Sequence, residues 1–195
     1  MKKVLFAILI FSVGVTGYTQ DYKKEIEKEF LEYVNLLIDM EFEKSMNYIL
    51  PDFFEIIPKS QMITLMEQSF NNPSIEIELT NPIINKINDS QKIEEKFYSL
   101  LTYSNQMNMK ILGEEGESEV DKRDRINLTK ASFENSFGKE NVIYNEETEF
   151  FEIQTEKNVY AISFDGSTDW KFLTVEKNQK AILEKLLPKK LTEEL

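Results

Sequence analysis

The chain has 195 residues, no His, no Cys and a formal net charge of −12. Without imidazole or thiol it has no Ser-His-Asp triad, no His- or thiolate-ligated zinc, no cysteine nucleophile and no disulfide. Its acidic surface repels phosphate backbones and anionic membranes, so no nucleic-acid partner is expected.

Lys2 and Lys3 precede an apolar run from Val4 to Val15, and a small, polar stretch from Thr16 to Gln20 follows. That is the layout of a secretory signal peptide over residues 1–20, with Gly17 and Thr19 as the small residues before the cleavage point. The apolar run is short of the roughly 20 residues that span a bilayer, so no stable membrane anchor is expected after cleavage. The expectation is an exported protein, periplasmic or secreted, with one domain over residues 21–188 and a C-terminal tail at residues 189–195. The sequence leaves its oligomeric state open.

Residues 21–50 are helical by spacing. Ile26, Phe30, Tyr33, Val34, Leu37 and Ile38 fall at three- and four-residue steps, with Lys and Glu opposite. Asp39 is placed as the cap of a second helix, which Pro51 stops. Phe53, Phe54, Ile56 and Ile57 lie between two prolines and read as a short 3₁₀ piece. Ser60 is expected to cap a helix with Met62, Ile63, Leu65, Met66 and Phe70 as its buried stripe.

From Ser74 the period becomes two. Ile75, Ile77 and Leu79 mark a half-exposed strand, and Asn81-Pro82 is taken as a turn into a second one through Ile83, Ile84 and Ile87. Residues 93–111 read as one long bent strand, or two meeting near Asn105. Residues 113–121 form a charged loop without EF-hand spacing, expected to be solvated and mobile. A helix follows over residues 122–137, with Ile126, Leu128, Phe133 and Phe137 as its stripe and Gly138 at its end. Strands are expected at residues 141–145 and 148–154.

Residues 158–176 form the hairpin around which the chain is organised. Tyr160, Ile162 and Phe164 point one way and Val159, Ala161 and Ser163 the other. Asp165-Gly166 opens the turn, and the return strand runs from Trp170 to Val175. Apolar groups on both its faces predict a central, doubly covered strand. Asn178 is placed as the cap of a closing helix with Ile182, Leu183, Leu186 and Leu187, stopped by Pro188, and the tail beyond is expected to fray.

The fold class that results is α+β: N-terminal helices packed on a curved, mostly antiparallel sheet, with an inserted helix and a short C-terminal helix. The amphipathic helices at 21–50 and 60–70, the curved strands after them and the Trp170-Lys171-Phe172-Leu173 strand together resemble the NTF2-like superfamily of cone-shaped domains. The helix at 122–137 and the closing helix depart from that pattern. The resemblance implies a pocket at the open end of the cone. It also implies a function among isomerases, dehydratases, cyclases and non-catalytic binding or interaction domains. No catalytic residue is carried over.

The candidate ligand-binding residues are Tyr98, Tyr103, Met107, Tyr160 and Trp170, with Met109 beside them. They combine an apolar surface with a few polar groups. Asp39, Asp165 and Asp169 are the carboxylates nearest the expected core. No catalytic, metal-binding or cofactor-binding residue is assigned. The functional expectation is an exported, non-catalytic domain that binds a small apolar ligand or a protein partner. Two alternatives stand beside it: a carboxylate- or Tyr-dependent lyase or isomerase in the same cavity, and an acidic interaction module for a basic protein.

Overall fold

The structure, a computed structural model, describes residues 16–193. The predicted leader therefore lies outside the described residues over 1–15, and its last five positions fall in the backbone of the first helix.

Helix α1 (Thr16–Ile38) carries Ile26, Phe30 and Val34 at steps of four, all buried. It stops because Met40 turns left-handed at φ +57° and the Glu41 N–H returns to the Leu36 carbonyl. Asp39 is not a cap. Its N–H still bonds the Asn35 carbonyl, so it closes α1, and the short α2 (Phe42–Ser45) begins three residues later without a side-chain cap. Helix α3 (Lys59–Phe70) follows a 3₁₀ turn at Pro51–Glu55. Its N-cap position is Pro58, not Ser60, and none of its residues is buried. The expected stripe is a surface stripe, with Leu65 half exposed and Phe70 against Phe42 at 5.3 Å between ring centroids.

The sheet is open, six-stranded and antiparallel throughout its ladders. Strands β3 (Lys96–Ile111) and β5 (Phe151–Ser163) form its spine, in unbroken register from Phe97 opposite Ser163 to Met109 opposite Phe151. The far edge of β3 is shared by β1 (Ile75–Ile87) and β2 (Gln91–Ile93). That of β5 is shared by β4 (Val142–Tyr144) and β6 (Lys171–Val175).

Three strand expectations change. Asn81-Pro82 is not a turn: β1 runs through it as a bulge, with Asn81 at φ +53°, because β3 continues to pair on either side (Thr80 with Gln106, Ile83 with Ser104). The segments expected at 148–154 and 158–164 are one strand, since the polar residues between them also pair with β3. Finally, β6 is covered on both faces but is not central. Phe172 and Leu173 are both buried, while its outer edge carries only a single parallel bridge from Phe172 to Ile49. At the hairpin tip Phe164 is exposed rather than packed with Tyr160 and Ile162.

Alternation along the spine gives the sheet two unlike faces. Odd-numbered residues of β3 and β5 meet the helices that cover the first face. Helix α1 packs on Leu101, Val159, Ala161 and Phe172. Helix α4 (Glu119–Phe137) packs on Met107, Met109, Phe151 and Ile153. It starts three residues earlier than expected because the Ser118 hydroxyl accepts the Asp121 N–H, and it stops at Gly138, φ +92°. Leu128 is exposed and not part of its stripe. The loop before α4 is anchored as well as charged: Glu117 accepts two hydrogen bonds from Arg125, which also donates to the Ile111 carbonyl.

Even-numbered residues make the second face. Tyr98, Leu100, Tyr160 and Ile162 sit under α5 (Lys180–Leu186) and α6 (Lys189–Thr192). Helix α5 follows a 3₁₀ turn and takes Gln179, not Asn178, at its N-cap position. The segment expected to fray forms α6 and buries Leu191 among Leu183, Leu187 and Tyr98. Beyond these helices the second face is polar, crossed by hydrogen bonds from Thr102 to Asn158, Gln154 to Gln106, and Asn108 to Glu78.

Candidate functional site

On the first face α1 covers the sheet around Leu101 and Tyr103, and α4 covers it around Met109. Between them, at the level of Asn105, neither helix lies on the sheet. The gap is a cavity of ≈ 390 Å³. Each wall follows from an element ending or bending there. Helix α1 contributes Val34, Leu37 and Ile38 from its last turn, and α4 contributes Phe137 from its own. The bulge of β1 contributes Leu79, Thr80 and Pro82. Tyr103, Asn105 and Met107 of β3 and Thr155 and Lys157 of β5 form the floor. The lining is mostly apolar, the common character of small-ligand sites.

The polar part of the floor is one cross-strand pair and one ion pair. Asn105 and Thr155 are directly opposite in the ladder. The Thr155 hydroxyl donates to Asn105 Oδ1 at 2.6 Å, a normal O–H···O length, so the amide nitrogen Nδ2 faces away from it. Asn105 is only 9% exposed, and no hydrogen bond of Nδ2 occurs among the described residues. Lys157 pairs with Glu176 just after β6. Burial, helped by the negative charge of Glu176, raises the Tyr103 phenol above its ordinary value and keeps it protonated. The ring of Tyr103 is fixed edge-on against Phe30, 4.8 Å between centroids.

The five predicted ligand residues do not converge. Tyr103 and Met107 line the cavity. Trp170 is fully buried in the α1 core beside Tyr22, and Tyr98 and Tyr160 lie on the opposite face of the sheet under the C-terminal helices. A strand alternates faces, so Tyr98 and Tyr103, five apart, point opposite ways. Met109 belongs to the core under α4. The residues missed were Asn105, Thr155 and Lys157. The available signal was a polar residue inside the row Tyr103, Asn105, Met107, where apolar side chains otherwise alternate.

The candidate carboxylates are structural. Asp165 accepts N–H groups from Ser167 and Thr168 and hydroxyls from Thr168 and Ser163. These hold its carboxyl far below the usual range, as expected of a turn-closing Asp. Asp169 pairs with Lys171. A wider hollow of ≈ 540 Å³ beside α4 has paired charges in its lining: Glu149 takes both Lys110 and Lys122, and Glu117 takes Arg125. Among the described residues no group of three or more acidic side chains is placed to hold a metal ion, and no helix is long and apolar enough to cross a membrane.

A scan against protein-family models finds no match, and searches of curated proteins and of solved structures find none either.

Proposed function

We propose that the chain is a non-catalytic binding domain that holds a small apolar ligand in the cavity between α1 and α4. The observation that carries this reading is the lining. Val34, Leu37, Ile38, Leu79, Pro82, Met107 and Phe137 surround the space, and no Asp or Glu is among the described residues that line it. A carboxylate-dependent lyase or isomerase would need such a group within reach of its substrate. Tyr103 is a weak acid in the lining, and its raised pKa makes its phenolate scarce and hence an ineffective base at neutral pH.

What supports kinship with NTF2-like domains is a helix packed on an antiparallel sheet beside a cavity. Export is inferred from residues 1–20 alone. The test is native mass spectrometry of the protein taken from its own cells, beside Leu79→Phe, which extends a ring into the cavity. The reading expects a retained small-molecule mass in the wild type and its loss in the variant. If the protein retains no mass and takes up no hydrophobic probe, the reading fails.

A further inference from the structure

We infer that the cavity selects an apolar molecule bearing a carbonyl at one end, seated with its oxygen on the Asn105 amide. This rests on the reading of the cavity as a binding site. Asn105 is nine-tenths buried, and its Oδ1 is already committed to the Thr155 hydroxyl. That leaves Nδ2 as a donor without a protein partner among the described residues, on a side chain that lines the cavity. The Thr155 hydroxyl has given its proton to Asn105 and has none for a ligand. The other polar groups on the floor are donors too. The Lys157 ammonium has three protons and one acceptor in Glu176, and the Tyr103 phenol stays protonated. A floor of donors under apolar walls matches a ligand that supplies lone pairs and no protons. The Lys157 charge is already balanced by Glu176, so a neutral ketone or ester oxygen fits without an uncompensated charge. An ammonium head would find only the spare lone pairs of the Thr155, Asn105 and Tyr103 oxygens, beside the like charge of Lys157, and would leave Nδ2 without an acceptor. At the ~30 Å³ that each atom-sized water occupies in the liquid, the space admits roughly a dozen non-hydrogen atoms.

The experiment is calorimetric titration of the full chain with 2-decanone, decanol and decylamine, all of similar size. The inference expects 2-decanone to bind about tenfold tighter than decylamine, with decanol between. Asn105→Asp keeps an acceptor for the Thr155 hydroxyl and removes the donor, and it should erase the preference for the ketone. Asn158→Asp, the same change at the Thr102–Asn158 pair on the other face of the sheet, should leave that preference in place. Thermal melts of both variants show that they fold. If the three probes bind alike, the selection is refuted while the cavity still stands as a binding site. If none binds, both readings fall together.

Discussion

Glu29 on α1 accepts the backbone N–H of Trp170 at 2.7 Å and that of Asp169 at 3.1 Å, so one carboxylate ties the first helix to the start of the last strand. The two partners lie some 140 residues apart in sequence. Through this contact the hairpin tip and α1 are positioned together, and with them the α1 wall of the cavity. Burial raises the Glu29 carboxyl above its ordinary value, against the opposing pull of the two N–H groups.

That shift has a definite sign. The folded state holds the Glu29 proton more tightly than the unfolded chain does. The side chain's linkage contribution is therefore fullest below the ordinary carboxylate range and is lost as pH rises through the raised value. Glu29→Gln has no such proton and keeps one acceptor. Urea unfolding at a series of pH values from about 4 to about 7 should find the wild type losing stability relative to Glu29→Gln as pH rises. Glu29→Ala, which leaves both N–H groups without that acceptor, should cost about 1–3 kcal/mol at neutral pH.

Glu149 carries the opposite shift. Hydrogen bonds from Lys110 and then Lys122 push its carboxyl down to about 2. Its stabilising contribution is present above the ordinary carboxylate range and is lost as pH falls through that depressed value. Acid titration followed by far-UV circular dichroism should find the advantage of the wild type over Glu149→Gln shrinking as pH drops below about 4.5.

Trp170 is the single tryptophan and is fully buried, away from the cavity. Its emission should be blue-shifted and protected from acrylamide. A cavity ligand should leave the emission maximum unchanged, which separates binding from unfolding in one fluorescence titration. The indole nitrogen has no partner among the described residues, so Trp170→Phe removes volume without breaking a hydrogen bond seen there. It should cost clearly less than Trp170→Ala, for which about 3–5 kcal/mol is expected.

Leu191 gives a stability test of the C-terminal segment. It is 4% exposed and packs with Tyr98, Leu183 and Leu187. Leu191→Ala should cost about 2–5 kcal/mol in urea unfolding, whereas Lys190→Ala, on the exposed side of the same short helix, should lie within about 0.5 kcal/mol of wild type.

The fold class was legible because period carries it. Ile26, Phe30 and Val34 repeat every four residues, and Ile75, Ile77 and Leu79 every two, and these are the spacings that bury one side of a helix or strand. What local sequence does not encode is what a neighbouring strand will tolerate. Asn81-Pro82 has the chemistry of a turn, yet β3 continues alongside and absorbs it as a bulge. The tail after Pro188 looks polar, and only the presence of Tyr98 and Leu183 beside it buries Leu191. The site was legible by half for the same reason. Tyr103 and Met107 were visible as aromatic and soft apolar groups, but Asn105 becomes informative only once Thr155 stands opposite it and two helices stop short of it.

The bulge in β1 has a consequence beyond the single chain. This strand forms one margin of the sheet and is thirteen residues long, the sort of long border on which a second chain can zip up into a fibril. Pro82 offers no N–H, and the left-handed Asn81 throws the backbone out of line beside it. Any incoming strand meets a break midway and can match only a short stretch on either side. The residues that shape one wall of the cavity thus also guard the molecule against templated self-assembly.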